Sequence, residues 1–519
     1  MKNFRIPLAR LSFSHVLSPR NMCGIIGIVK SKDDAVYEVY DGMLMLQHRG
    51  QDSAGIVTFD GHKFFDRRGA GLVRDVFEEK DIRALKGRLG LGHCRYTTCG
   101  NCDSVDEAQP FFVNAPLGIY MIHNGNLTNT EELRETILKR YHRHLRTDSD
   151  TEVLLNVFAD QIYKVMKTFP QKEISEVLFE ATTFTMDRVT GAYSIITLID
   201  QVGMFVFRDP HGIRPLVMGK KESPTGTEWA FASEDIAFKA LGYETVRDVN
   251  PGEGILIRKD NSEMISHQCK KGELNPCIFE YVYLARPDSM MNKISVYKTR
   301  LRMGTFLAKQ IKKAKLHIDS VMPVPDSGRA LAMQVSQDLG IKYREGLVKN
   351  HYIGRTFIMP NQRMRQKSIR RKLNTIELEF KNRNILLIDD SIVRGNTSKQ
   401  IIELCRQAGA KKVFIASGAP PIINPDVYGI DIPTRSELIA HGLTIDQIRK
   451  AIGADALFYQ RVEDLVAAAK AGNPQIKKFH TGVFDGGYVT PEVTEEYLQK
   501  VDREGRGAKQ RDSELPLPF

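Results

Sequence analysis

Two sets of residues in this 519-residue sequence have types and spacings suited to making and breaking bonds. The first begins at Cys23, which follows Met22 and opens the apolar run CGIIGIV. Met22 is a plausible removable residue, and its loss would place the α-amine of Cys23 beside its own thiol. Such an amine titrates near about 7.7–8.0, so it is partly neutral at physiological pH and can act as a base. The thiolate can then attack an amide carbon. The second set is NILLIDDSIVRGNTSKQ, Asn384 to Gln400. Four apolar residues, Ile385 to Ile388, suit a buried parallel strand. Asp389 and Asp390 follow, then a small, hydroxyl-rich loop, then a helical pattern. The free N–H groups and dipole of a helix start hold a phosphate, with the Thr397 and Ser398 hydroxyls beside them. The two carboxylates can take ribose hydroxyls or a hard cation such as Mg²⁺. The plain alternative is a strand-to-helix turn in which the acidic pair only caps.

These sets need scaffolds, and the length allows them. A chain of this size suggests two or three domains. Composition is that of a soluble globular protein, 42% apolar, with no apolar run of membrane-spanning length. Seven Cys without a secretory signal read as reduced thiols in a cytosolic protein. The net charge of +11 is local: residues 1–22 carry four cations and residues 349–374 carry eight, neither with an acid, which leaves the rest nearly neutral. A general nucleic-acid binder spreads its basicity over a face, so no nucleic-acid or membrane partner is expected.

Around Cys23 the chain carries LQHRGQDSAGIV (Leu46–Val57), GHCRYTT (Gly92–Thr98), HNGNLTN (His123–Asn129) and TDSDTEVLL (Thr147–Leu155). Apolar runs alternating with turns, such as GAYSIITLID, predict two stacked sheets between helices. Cys94, Cys99 and Cys102 form a C-x₄-C-x₂-C spacing, but three thiols with no nearby fourth ligand do not predict a metal site. Further on, VMPVPDSGRALAMQ (Val321–Gln334) predicts a strand, a small loop and a helix start, a second candidate anion site in which the Ser327 and Gly328 backbone N–H groups face a pyrophosphate, against the plain alternative of a turn that only caps the helix. The basic segment 349–374, with Lys349, Arg355, Arg363 and Arg365, predicts a mobile loop that orders over an anionic substrate, against the alternatives of a solvated surface run or a nucleic-acid patch. The basic, acid-free residues 1–22 fit a mitochondrial presequence, a short propeptide or an upstream start before Met22. The last two are favoured. The tail beyond about Lys500 is polar and expected to be disordered.

The five motifs from Cys23 to Leu155, in order, resemble the N-terminal-nucleophile (class II) glutamine amidotransferases over residues 23–255. Residues 276–470 resemble a type I phosphoribosyltransferase. Together, in this order, they resemble the glutamine phosphoribosylpyrophosphate (PRPP) amidotransferase family, and the eukaryotic, fungal form in particular. The resemblance implies an α/β chain in which an αββα sandwich glutaminase domain is fused to a parallel-sheet domain. An extension (1–22) precedes them and a C-terminal helix and tail (471–519) follow. It implies Cys23 as nucleophile, with Asn124 and the Gly125 N–H as oxyanion hole. Arg95 would bind the glutamine α-carboxylate, Asp150 its α-ammonium, and Arg49 would help close the site. PRPP would lie on Ser327, Asp389, Asp390, Ser391, Arg394, Gly395, Asn396, Thr397 and Ser398, with one Mg²⁺ per subunit at Ser327, Asp389 and Asp390. The family further implies phosphoribosylamine formation for purine synthesis, ammonia passed internally, feedback by purine nucleotides and a homotetramer. Some members hold an iron–sulfur cluster on four cysteines. Here Cys277 matches one position and Asp426 stands at another, with no later C-x-x-C, so no cluster is expected.

Overall fold

The computed structural model describes residues 22–96, 105–140, 143–261, 263–350 and 373–514. In the first half, two antiparallel sheets face each other. One has seven strands and contains Met22–Val29 at its centre, flanked by Leu89–Tyr96 and Gly226–Ala232. The other has six and contains Ile119–Leu127, which pairs with Gly191–Ile199. The period of two along a strand explains how both faces are filled. On Met22–Val29, Ile25 and Val29 join the core between the sheets, while Ile26 and Ile28 join the core under the helix Val36–Met45. The second sheet is covered on its outer face by helices Asp150–Thr168 and Ile174–Arg188, through Leu154, Phe158 and Leu178. The expected two sheets between helices are thus present.

The second half is built on five parallel strands in the spatial order Lys342–Tyr343, Ser320–Pro323, Asn384–Asp389, Lys412–Ser417, Ala456–Tyr459. Both faces are buried. Leu386 and Ile388 enter one core; Ile385 and Leu387 enter the other. The first strand in sequence lies second in space, so the order reverses between Ser320–Pro323 and Asn384–Asp389. Ligands of open parallel sheets sit outside the carboxyl ends of the strands at such a reversal. Those ends carry the segments that hold Ser327 and Asp390.

Two boundaries differ from expectation. Helix Asn396–Gln407 starts within the RGNTS segment, so Asn396, Thr397 and Ser398 are its first turn. Gly395 precedes it at φ +75°, a left-handed conformation that glycine adopts without strain. The C-terminal segment is a helix, Glu495–Glu514, rather than a disordered tail from Lys500. Leu498 and Val501, three residues apart, are buried and dock that helix. Lys500 reaches Glu131 and Arg435 reaches Glu495.

Candidate active sites

Strand phase decides what surrounds Cys23. It lies on the same face as Ile25, toward the second sheet. Gly24 points the other way, and a Cβ there would lie 3.4 Å from the Arg49 Cβ. Cys23 and Arg95 are direct partners in the antiparallel pair. Arg95 donates to Glu107, and both lie within the first domain. Asp150 opens the helix Asp150–Thr168. Its Oδ2 accepts from the Leu127 N–H at 3.1 Å and stands 3.7 Å from His123 Nδ1. Arg95 and Asp150 both act electrostatically on the thiol. Desolvation dominates: burial pushes the Cys23 thiol up to about 12, against the downward pull of Arg95 and Arg214 and with a further upward push from Asp150. In the sequence as it stands, Met22 acylates the Cys23 nitrogen, so no free amine offsets that burial.

Asn124 and Gly125 lie on the strand Ile119–Leu127. Asn124 Oδ1 accepts from Arg214 Nε at 3.4 Å, and its Nδ2 lies 3.4 Å from Ser233 Oγ. The same Ser233 Oγ accepts from the Ile25 N–H at 3.1 Å, tying the strand of Cys23 to that of Asn124. Gly125 has φ +152°, and a Cβ there would lie 2.0 Å from the Ala192 carbonyl oxygen, so glycine is required. Arg49 is buried and its guanidinium is held by Glu234 and Glu280. That arrangement places it at the junction with the second half.

At the other site, Ser327 donates to Asp390 Oδ2, and Ser391 donates to Asp390 Oδ1 at 2.6 Å. Asp389 Oδ1 accepts the Asp390 N–H at 2.9 Å. Burial raises both carboxyls above their ordinary range, and for Asp389 the neighbouring Asp390 charge adds to it. Arg300, itself buried, draws Asp390 partly back. Two adjacent buried carboxylates that resist sharing two negative charges make a donor set that fits a hard divalent cation. The helix Asn396–Gln407 has no side-chain cap on its first N–H groups. Thr397 is exposed there and Ser398 is buried; Arg394 Nε donates to Glu437 at 2.9 Å. The Gly328 N–H, expected to face a pyrophosphate, instead donates to the Val324 carbonyl at 3.1 Å. A Cβ on Gly328 would lie 2.3 Å from the Ile388 carbonyl oxygen, so the residue allows the loop to press on the strand beneath it. Lys349 Nζ lies 3.0 Å from Asp326 Oδ2. Arg355, Arg363 and Arg365 fall outside the described residues, as do Cys99 and Cys102.

Sequence reasoning missed two residues. His480 lies against Cys277 and Asp426, and the three donor atoms are within 4.8 Å of one another. His480 Nε2 is 3.3 Å from Asp426 Oδ2. One thiol, one carboxylate and one imidazole do not fit the four-thiolate cradle of an iron–sulfur cluster. Arg214, in DPHGIRPL, is fully buried beside Asn124. A charge within the otherwise apolar run GIRPLVMG was the available signal.

The first half is thus two facing sheets between helices, and the second a parallel sheet with an acidic pair at the reversal of its strand order. Comparison with known proteins gives the family. A family model described as "Glutamine amidotransferase domain" matches residues 93–240, and one described as "Phosphoribosyl transferase domain" matches 295–418. The amidophosphoribosyltransferase of Escherichia coli (strain K12) is 48% identical over 502 residues, 95% of this chain and 98% of that protein. Those of Schizosaccharomyces pombe and Saccharomyces cerevisiae are 44% and 43% identical, over 93% and 95% of this chain and 93% and 97% of theirs. The solved glutamine PRPP amidotransferase of B. subtilis, complexed with ADP and GMP, is similar with a TM-score of 0.78 and 33% identity, over 90% of this chain and 97% of that one. The chain belongs to the amidophosphoribosyltransferase family, pentosyltransferases of purine biosynthesis that carry a glutamine amidotransferase domain. Fungal relatives are among its matches, and the E. coli protein is somewhat more identical than either yeast protein.

Proposed function

We propose that the two sites are the ammonia-releasing and ammonia-accepting ends of one reaction. Glutamine lies with its α-carboxylate on Arg95, in the place Glu107 now takes, and its α-ammonium on Asp150. Arg49, held between Glu234 and Glu280, supports that pocket from behind. The Cys23 thiol gives its proton to the freed α-amine, and Sγ bonds to the side-chain amide carbon. The resulting oxyanion is met by Asn124 Nδ2 and the Gly125 N–H. The amine returns the proton to the departing nitrogen; the C–N bond breaks and ammonia leaves. Water then cleaves the thioester to glutamate. Ammonia passes within the protein and attacks C1 of PRPP, whose pyrophosphate departs, giving 5-phosphoribosylamine. The passage matters because ammonia released to water is protonated and loses its lone pair.

At the second site, Asp389 and Asp390 take the ribose hydroxyls. The first turn of Asn396–Gln407, with Ser391, Arg394, Gly395 and Thr397, takes the 5′-phosphate. Mg²⁺ would be held by Asp389, Asp390 and Ser327, and when bound it supplies charge neutralisation for the pyrophosphate. Cytosolic location, a homotetramer and purine-nucleotide inhibition go with this reading. The complex of the B. subtilis relative with ADP and GMP supports the last. No iron–sulfur cluster is assigned, given the donor set around Cys277.

The observation that carries the proposal is the shared end of two parallel strands, where Ser327 meets Asp390. Its test uses two nitrogen sources. Cys23→Ser is expected to lose glutamine-dependent turnover and keep ammonium-dependent turnover. Loss of both would break the two-site division.

A further inference from the structure

Both donors assigned to the oxyanion hole rest on residues from the other half of the chain. Consider the side-chain donor first. Asn124 Oδ1 accepts from Arg214 Nε, which orients the amide so that its NH₂ group is left to donate. Arg214 is wholly buried, and its Nη2 lies 2.9 Å from Glu280 Oε1. Glu280 opens the π-helical turn Glu280–Leu284, at the start of the second half. The same carboxylate takes Arg49 Nη2 at 2.8 Å, so one buried acid from the second half holds two buried arginines of the first. Arg300, also buried, donates to the Tyr281 and Tyr283 carbonyls of the π-turn and to the Ala285 carbonyl that follows it.

The backbone donor is supported separately. Gly429 packs on Gly125 so closely that a Cβ on Gly429 would lie 2.8 Å from the Gly125 carbonyl carbon. Beside it, Asn126 Nδ2 donates to the Val427 carbonyl at 2.9 Å. The 426–430 loop is itself pinned: Asp426 Oδ1 accepts the Tyr428 and Ile430 N–H groups, each at 2.8 Å, while Oδ2 faces His480.

We propose that the oxyanion hole is assembled across the domain boundary, with Arg214 and Glu280 positioning the Asn124 amide and the 426–430 loop positioning the Gly125 N–H. The inference rests on the reading of Asn124 and Gly125 as oxyanion donors. These three elements, Arg214, Glu280 and the 426–430 loop, are positioning elements; none touches the substrate. A hole that is out of place by about 1 Å loses on the order of 10²-fold in rate. Ground-state binding of glutamine, assigned to Arg95 and Asp150, uses other groups.

The experiment measures kcat and KM for glutamine, and kcat with ammonium chloride, in full-length Asn124→Ala, Arg214→Gln, Glu280→Gln and Gly429→Ala. Asn124→Ala is expected to lower glutamine kcat by about 10²-fold or more. Arg214→Gln is expected to lower it by about 10–10²-fold with glutamine KM within about threefold of the parent, and Glu280→Gln, which also releases Arg49 behind the glutamine pocket, to lower kcat as much and to raise KM as well. Gly429→Ala is expected to act as Arg214→Gln does, through Gly125, and it carries the test if a charge variant fails to fold. Ammonium-dependent kcat is expected to stay at the parent level in all four. If Asn124→Ala is impaired and the other three keep full glutamine kcat, the shared assembly is overturned. It is also overturned if their losses appear only in KM, or fall equally on ammonium-dependent turnover. A fully active Asn124→Ala would instead overturn the oxyanion reading beneath it.

Discussion

The two proposed sites differ in what their buried groups lack. At Cys23 the problem is a missing neutral base and an excess of dryness: burial pushes the thiol up to about 12 while Met22 occupies the nitrogen beside it. At Asp389 and Asp390 the problem is too much like charge in one buried place. On the proposed reading, the first would be relieved once, by removal of the residues before Cys23, and the second reversibly, by a cation or substrate that arrives each turnover.

The contrast can be attacked directly, starting with its largest consequence. Asp389→Asn combined with Asp390→Asn is expected to abolish both glutamine- and ammonium-dependent phosphoribosylamine formation, because the acceptor site serves both; residual activity near the parent level would remove these carboxylates from the site. Next, a chain whose Met22–Cys23 bond is kept intact, verified by intact mass, is expected to lose about 10²–10⁴-fold in glutamine turnover. Its ammonium turnover should not change, and full glutamine turnover with Met22 in place would refute the free-amine base.

A pH experiment separates the two restraints more finely. Asp389 and Asp390 have raised pKa values in the fold, so the stability they contribute is complete below the unfolded value, about 3.9, and is lost as pH rises through the folded values. A divalent cation replaces the missing protons. The rise in Tm on adding Mg²⁺ is therefore expected to grow as pH is raised above the ordinary carboxylate range, and to shrink in Asp389→Asn. The buried Cys23 and Cys405 thiols, each pushed up to about 12, lose their stabilising contribution only at alkaline pH, above about 8.5. Denaturant titrations from about pH 8 to about pH 10 are expected to show that smaller decline, insensitive to Mg²⁺. The smallest effect is at Arg394, whose half-exposed pair with Glu437 contributes about 0–1 kcal/mol. Arg394→Ala should leave the melting temperature nearly unchanged, and any loss should appear as a higher KM for PRPP.

Much of this was legible in residue order because fully buried strands announce themselves as short continuous apolar runs and turns by composition. Ile385 to Ile388 read as a fully buried strand, and each is buried. GAYSIITLID read as a sheet strand, and Gly191–Ile199 is one. The acidic pair and Ser327 are 63 residues apart in sequence, yet they meet because parallel strands bring their carboxyl ends together. What could not be read was partnership between distant charges. Arg49 in QHRGQ suggests a substrate contact by type and motif, but strand phase at Gly24 and the two buried acids Glu234 and Glu280 fix where it sits. Likewise nothing in KKFHTG marks His480 as the neighbour of Cys277, because that contact depends on a parallel bridge between segments 203 residues apart. That the expected C-terminal helix runs past Lys500 was hidden by its polar composition, since only two buried residues, Leu498 and Val501, anchor its described side chains in the core.

The close contact of Gly429 with Gly125 has a consequence for how such chains can change over generations. A linker normally lets two folds be traded as cassettes, each keeping its own sequence. Here a methyl group added at either glycine strikes backbone, at Gly125 from the strand beside it and at Gly429 from Gly125 itself. The halves are therefore keyed to each other: recombination that imported a foreign glutaminase would have to import a matching 426–430 loop with it, and drift at one face is checked by the other.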